Sequence, residues 1–376
     1  MRVLLLGATG YLGRFVADRL LADPAVQLTA LGRGDESDVR FDLSTGSPGA
    51  LTRFLDAVHP GVVINCAGAT RGGGRELIRH NVVATATVCE SLRRSGCGAR
   101  LVHVGCAAEY GPSQAGSSTG EDAVPRPGGP YGVSKLAGTE LVLASGLDAV
   151  VLRVFSPIGP GTPAGSPLGR LAEAMRRTMQ QGDSELKLSG LGIQRDFVDV
   201  RDISRAVHAA SLSAAQGVVN IGTGRAVRLR DAASLLARVA GYTGAVHDHG
   251  PGQIPADSLA GGPGGPGGPA GVAGPGGLGG PGGGVHGGVQ GGVHGVLGNG
   301  LGSGLGGNAP VIPPQAHSTQ THGVQHPAPA APPYPDGCGA WQQADVRTAR
   351  DRLGWRPRIG LEESLADIWM EAACRI

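Results

Sequence analysis

Lysine is almost missing from this chain: thirty arginines carry the positive charge, and Lys135 and Lys187 are the two lysines. A lysine is therefore a rare choice here, one that marks a place where a compact, deprotonatable ammonium serves better than a planar guanidinium fork. The six cysteines, at 66, 89, 97, 106, 338 and 374, include no CxxC pair and no zinc-like spacing. That excludes a disulfide framework and a metal site and fits a reduced cytoplasm. No apolar run approaches a membrane span, and the strand-like start, Met1 to Leu6, meets a glycine turn too early to be a signal-peptide core. A soluble cytoplasmic protein with no membrane partner is expected. The net charge of +2 gives no general drive toward nucleic acid. The 68 glycines have no sustained three-residue period, which excludes collagen.

Much of that glycine, with the proline, is concentrated between Pro251 and Ala340, a stretch with no Lys or Arg and two acids, Asp257 and Asp336. It has too little apolar bulk to offset the entropy of ordering and is expected to be a disordered insert. Its GGVHG-like units, with His286 and His294, read as solvated linker in preference to metal ligands. Stretching a loop from about 15 to about 90 residues costs only about 1.6 kcal/mol of closure entropy, so a fold tolerates it. The segment that follows carries Trp341, Trp355 and Trp369 and is expected to fold.

Outside the insert, short β-rich runs alternate with amphipathic stretches. Strands are predicted at 2–6, 27–31, 62–65, 101–105 and 149–155. Helices are predicted at 12–22, 76–94, 131–145, 168–181, 200–212, 230–239 and 361–373. Parallel strands need such crossovers, so the fold class is α/β, a Rossmann-type doubly wound parallel sheet with a smaller C-terminal substrate lobe. The expected division is a dinucleotide-binding domain at 1–155, a substrate lobe at 156–250, the insert at 251–340 and the remainder of the lobe at 341–376.

The run Gly7-Ala8-Thr9-Gly10-Tyr11-Leu12-Gly13 follows a predicted strand and opens a helix. Glycines let the backbone approach a dinucleotide pyrophosphate, while the helix N-terminus offers free N–H groups and a favourable dipole. After the second strand stand Gly32 and Arg33, where an arginine can pair with a 2′-phosphate and tilt the coenzyme toward NADP. Asp35 and Glu36 follow within three residues and would serve NAD instead. Asp42, preceding Leu43, is placed to accept a hydrogen bond from the adenine amine.

Tyr131 and Lys135 lie four residues apart, on one helical face. A phenol is a poor base at neutral pH, but a neighbouring ammonium and a cationic nicotinamide favour the phenolate. Such a pair can take or return a hydroxyl proton while the coenzyme moves hydride.

Together these residues resemble the extended short-chain dehydrogenase/reductases, in their nucleotide-sugar epimerase, dehydratase and reductase branch. The resemblance rests on an ordered series: GATGYLG at 7–13, NCAG at 65–68, HN at 80–81, CAAEYG at 106–111 and PYGVSK at 130–135. FSPIGPG at 155–161, RDFVDVRD at 195–202, NIGTG at 220–224 and ADVRTARDRLGWRP at 344–357 continue it. It implies that Tyr131 is the catalytic base and acid, and that Lys135 holds the nicotinamide ribose. It places Ala67 and Gly68 beside the coenzyme, with Asn81 bracing the central helix and nearby strand ends.

Cys106 stands where relatives carry the Ser or Thr that hydrogen-bonds the reacting sugar hydroxyl, and a thiol is a weaker partner. Ser156 replaces an Asn that contacts the nucleotide-sugar, and Arg195 matches an arginine that reaches the substrate pyrophosphate. The family's second phosphate-facing arginine falls where the insert, which has none, begins to rejoin the chain. Relatives often dimerise through two helices of the sheet domain, which makes a homodimer an expectation of resemblance.

A 4,6-dehydratase of this branch has an Asp-Glu pair where Ala107 and Ala108 stand, so dehydration is disfavoured. The motif series implies an NAD(P)-dependent nucleotide-sugar 4-epimerase working through a transient 4-keto sugar. The alternative is an NADPH-dependent reductase of nucleotide-4-keto-6-deoxysugars, suggested by RDFVDVRD with Gly32 and Arg33. A third reading, a catalytically weakened coenzyme-binding sensor or scaffold, is opposed by the intact Tyr131 and Lys135.

Overall fold

Alternation of apolar residues along the strands builds two cores, one on each face of a single parallel sheet. Val3 and Leu5 enter one core and Leu4 and Leu6 the other. Val62 and Ile64 likewise oppose Val63, and Val150 and Leu152 oppose Val151. Strands buried on both sides read as continuous apolar runs, and helices must cover both faces. Each fully buried aliphatic side chain contributes about 1.5–3 kcal/mol.

The structure, a computed structural model, describes residues 1–248 and 339–374, all within one compact unit. Of the segment expected to be disordered, only Gly339 and Ala340 fall among the described residues; His286 and His294 lie outside them. The strands are β1 (Arg2–Leu6), β2 (Gln27–Gly32), β3 (Val39–Arg40), β4 (Val62–Asn65), β5 (Arg100–Cys106), β6 (Ala149–Val154) and β7 (Ser156–Ile158). They continue with β8 (Glu185–Leu188), β9 (Gln194–Arg195), β10 (Phe197–Asp199), β11 (Gly217–Ile221), β12 (Val227–Arg228) and β13 (Ala245–Asp248). The helices are α1 (Tyr11–Leu21), α2 (Pro48–Val58), α3 (Gly74–Ile78), α4 (Ala84–Arg94), α5 (Pro130–Leu143) and α6 (Pro167–Gln181). Those of the second half are α7 (Val200–Leu212), α8 (Leu229–Ala240), α9 (Arg347–Leu353) and α10 (Leu361–Ala373).

Seven strands form the parallel sheet in the order β11-β6-β5-β4-β1-β2-β3. Helices α1 and α7 close one face through Val16, Leu20, Ile203 and Val207, and α2, α4 and α5 close the other through Leu51, Val88 and Val142. The doubly wound α/β expectation holds. Strand order reverses between β1 and β4, which opens a crevice at their carboxyl ends. A separate apolar cluster joins α6, α8 and α10 through Leu171, Met175, Leu236 and Leu365, forming the core of the smaller lobe.

Helices α2 and α9 and several short strands were not among the predicted elements, and two further features differ from the sequence reading. The seventh strand, β11, comes from within the stretch assigned to the lobe and pairs with β6 from Gly217↔Val150 to Ile221↔Val154. The helix predicted at 76–94 is interrupted by a π-helical turn at Arg79–Val83, which carries Asn81.

Three acids of the RDFVDVRD run bind the late segments to the sheet. Asp196 accepts from the Thr223 amide and hydroxyl at 2.7 and 2.5 Å, from Gly224 N at 2.9 Å and from Ala344 N at 3.0 Å. Asp199 accepts from Ser364 Oγ at 2.6 Å, and Asp202 from the amides of Arg358 and Ile359 at 2.7 and 2.9 Å. Trp355 is buried against the sheet core, as its apolar size demands.

Candidate active site

The glycine turn is tightly packed. Gly7 has φ +78°, a left-handed conformation, and a Cβ there would lie 2.8 Å from Ala67 Cα. A Cβ on Gly13 would collide with the Gly7 carbonyl, so α1 can pack this closely only on glycine. Gly10 caps α1 with no side-chain hydrogen bond, which leaves the first-turn amides of the helix for an anion. Thr9 and Gly10 are exposed at this mouth, while Leu12 is half-buried.

At the end of β2, Arg33 is exposed, and its charge reaches Asp42. Burial pushes the Asp42 carboxyl up, but hydrogen bonds from Ser44 N and Oγ, at 2.8 and 2.7 Å, together with Arg33 and His80, hold it below its ordinary value. Asp35 pairs with Arg40 at 2.7 Å. Leu43 is buried.

Ala67 and Gly68 form the floor opposite the glycine turn. Asn65 Oδ1 accepts from Ala67 N at 3.1 Å, and a Cβ on Gly68 would meet Asn81 Oδ1 at 2.8 Å. Buried Asn81 accepts from Ala69 N at 2.8 Å and donates to Ala69 O and Ser134 Oγ, both at 2.9 Å. It thereby ties the π-turn to the loop after β4 and to α5.

Pro130 opens α5 and Gly132 lets its first turn approach the Ala108 carbonyl, where a Cβ would not fit. This brings Tyr131 against Cys106, whose thiol the phenol hydrogen-bonds. Lys135, one turn on, is buried and donates from Nζ to Val104 O at 2.7 Å. Cys106 caps the turn Ala107–Glu109: its Sγ accepts from Ala108 N at 3.4 Å, and its own amide donates to Glu109 Oε1 at 2.7 Å. Burial raises the Cys106 thiol against the opposing pull of Ala108, Tyr131 and Lys135. Burial also pushes nearby Cys66 up to about 12. Both sulfurs are neutral at physiological pH.

Several supporting residues escaped the sequence reading. Glu109, fully buried, pairs through Oε2 with Arg153 Nε at 2.7 Å, and the Arg153 guanidinium lies over the Tyr110 ring at 4.5 Å. Tyr110 donates to Asn220 Oδ1 at 2.8 Å. His103, buried beneath the site, pairs Nδ1 with Asn65 Nδ2 at 3.1 Å. Burial, then the Lys135 charge, push its imidazole well below its ordinary value. The glutamate in CAAEYG was the available signal for the first cluster; its partner lies 44 residues away.

Two of the three proposed substrate residues, Ser156 and Arg195, lie beyond β6. Ser156 opens β7 and its amide donates to Asp196 O at 3.0 Å. Arg195 is 1% exposed, and its guanidinium donates to the carbonyls of Gln194 and Gly339, both at 2.9 Å. In this conformation it anchors the backbone at Gly339.

A profile of the NAD dependent epimerase/dehydratase family matches residues 3–222. The chain belongs to this family. It is 30% identical over 384 aligned residues to a dTDP-6-deoxy-L-talose 4-dehydrogenase (NAD(P)(+)) from Kitasatospora kifunensis, covering 98% of this chain and 94% of the relative. The fold matches RMD from Pseudomonas aeruginosa complexed with NADPH, at 19% identity and a TM-score of 0.67, over 100% and 99% of the two chains. It also matches a UDP-glucuronic acid 4-epimerase from Bacillus cereus in complex with UDP-glucuronic acid and NAD, at 17% identity and a TM-score of 0.67, over 99% of both chains. As a family member, the chain is an NAD(P)-dependent enzyme that modifies nucleotide-sugars. Among the described residues no helix is long and apolar enough to cross a membrane, and no three or more His, Cys, Asp or Glu cluster to hold a metal.

Proposed function

We propose that the chain is an NAD(P)-dependent oxidoreductase acting at C4 of a nucleotide-activated 6-deoxyhexose, interconverting the 4-hydroxyl and the 4-keto sugar. A dTDP sugar is the substrate class. The reading is carried by the likeness to the dTDP-6-deoxy-L-talose 4-dehydrogenase, which spans nearly the whole of both chains. Ala107 and Ala108, at the end of β5, provide no acid for elimination.

The glycine turn, with the free amides of α1 and the Ala67–Gly68 floor, is built to hold the coenzyme, and Arg33 is the residue assigned to a 2′-phosphate. When bound, the nicotinamide supplies or accepts the hydride at C4. The chain's own work is proton movement. Tyr131 passes its phenolic proton to the C4 oxygen in reduction and recovers it in oxidation, and the Lys135 ammonium stabilises the phenolate between the two. Cys106, in contact with that phenol, occupies the position from which a side chain orients the C4 oxygen; its neutral thiol is a weak donor. Ser156 and Arg195 are assigned to the sugar and the pyrophosphate, with Arg195 released from its backbone carbonyls on binding.

A second reading, the 4-epimerase favoured by the motif series, uses the same groups but returns hydride to the opposite face of the sugar. Purified protein separates the two. Stoichiometric consumption of NADPH or NADH with a dTDP-4-keto-6-deoxyhexose is the expected result. Interconversion of a nucleotide-hexose without net coenzyme turnover, and no oxidation of NADPH or NADH by the keto sugar, would replace this reading with the epimerase.

A further inference from the structure

Tyr11 is the first residue of α1, the helix whose first-turn amides are assigned to the coenzyme, and its side chain reaches a distant loop. Its hydroxyl lies 3.1 Å from Thr162 Oγ1, 151 residues away in the chain. Thr162 is 4% exposed and spends its own proton on Gly159 O, at 2.6 Å, so the Tyr11 phenol is the donor of this pair. Burial, with the Asp199 and Glu371 charges nearby, raises the Tyr11 hydroxyl above its ordinary value, so the donor keeps its proton.

A second residue of the same helix face reaches the same loop. Arg14 stacks its guanidinium against the Tyr11 and Phe15 rings, at 5.7 and 5.1 Å from their centroids, and donates to Pro160 O at 3.4 Å. Gly161, at φ +71°, lies directly beneath it, where any Cβ would collide with Arg14 Nη2. The segment gripped in this way begins with β7 at Ser156, the residue assigned to the sugar, and runs on as the loop after Ile158. It ends at Ser166, which caps α6 by accepting from Gly169 N at 3.0 Å.

We propose that Tyr11 and Thr162, supported by Arg14 on Gly161, form a latch through which coenzyme seated over the glycine turn positions the 156–166 segment, β7 and the loop after it, for substrate. Tyr11 is then a positioning residue for the substrate, acting through its bond to Thr162. Ordering of the first turn of α1 by an anion fixes the Tyr11 ring, and the hydroxyl carries that order to the loop. The latch rests on the assignment of the glycine turn to NAD(P) and of the loop to the substrate side. It is independent of whether the sugar is reduced or epimerised.

Hydrogen–deuterium exchange of the whole chain, with and without saturating NADPH and NADH, tests this without knowledge of the sugar. In the unaltered protein, coenzyme is expected to slow exchange in peptides covering both 7–13 and 156–166. In Tyr11→Phe and in Thr162→Val, protection of 7–13 persists at unchanged coenzyme affinity while protection of 156–166 is lost; Thr162→Ser restores it. With whichever substrate the unaltered enzyme turns over, both variants raise KM about five-fold, the loss expected of one hydrogen bond, at nearly constant kcat. The double variant adds nothing further, since the two side chains act as one unit. Coenzyme protection of 156–166 that survives in Tyr11→Phe, or is absent from the unaltered protein, overturns the latch. So does a fall in coenzyme affinity matching the rise in KM. Failure of the proposed C4 oxidoreduction would appear separately, as lack of turnover of the keto sugar, and leaves the exchange result to be read on its own.

Discussion

The phenol of Tyr131 meets the sulfur of Cys106 where β5 ends and α5 begins, with the Lys135 ammonium one helical turn behind. The thiol thus sits beside the phenol, where the reaction proposed needs a side chain to orient the C4 oxygen. Removing the phenolic oxygen should abolish proton exchange without touching the glycine turn. Tyr131→Phe is expected to lower kcat by about 10²–10⁴-fold, while coenzyme affinity, followed by NADPH fluorescence, changes little. A variant with unaltered turnover would strip Tyr131 of its role.

Cys106→Ser replaces a weak donor with a strong one at nearly the same volume. Because the thiol is held neutral by burial, no charge is lost in the exchange. Turnover is expected to stay equal or rise, and a collapse in kcat would show that sulfur itself takes part.

Arg33 lies exposed beside Asp42, and its competitor Asp35 is occupied by Arg40. Arg33→Ala is expected to weaken NADPH binding about ten-fold, the order of one charge-assisted hydrogen-bonded pair, and to leave NADH binding nearly unchanged. Titrations showing equal losses for both coenzymes would remove Arg33 from 2′-phosphate recognition.

His103 is neutral in the folded protein because burial and the Lys135 charge depress its pKa well below 6.5. The unfolded chain takes up that proton near pH 6.5, so the unfolded state binds more protons as the pH falls below this value. Stability contributed by the neutral imidazole is therefore whole above about pH 6.5 and declines in acid down to the folded-state pKa. Thermal melts of His103→Gln, which keeps a side-chain acceptor for Asn65, should show a shallower loss between about pH 6.5 and 5. Parallel pH curves for the two proteins would contradict this assignment.

Asp196 accepts four hydrogen bonds at the meeting of β9, the loop after β11 and the rejoining segment. An asparagine would turn an NH₂ group toward some of those donors. Asp196→Asn is expected to cost about 3 kcal/mol in denaturant unfolding, the scale of a broken buried charged network. A change within error of zero would mean that the acid is dispensable.

Much of this architecture was legible because it is local. Short β-rich runs marked the strands from Arg2–Leu6 to Ala149–Val154, and the four-residue spacing of Tyr131 and Lys135 put them on one helix face. Apart from helices such as α2, what escaped was either irregular or remote. The π-turn at Arg79–Val83 adds no apolar signal of its own and is visible only once Asn81 is seen to bind Ala69 and Ser134. Glu109 with Arg153, and Tyr11 with Thr162, are brought together by the winding of the sheet, which no spacing along the chain encodes. Strand β11 is a short apolar run with polar neighbours, and only pairing with β6 decides its place.

The protonated state of Cys106 also bears on how the protein meets reactive chemistry in a cell. Alkylating or oxidising electrophiles attack the thiolate form of cysteine. Burial deprives Cys66, Cys89 and Cys106 of that form, whereas Cys374 lies open near the chain end. Among the described cysteines, damage is thus drawn to a peripheral sulfur, and the enzyme can carry a soft nucleophile at its heart while remaining inconspicuous to such reagents.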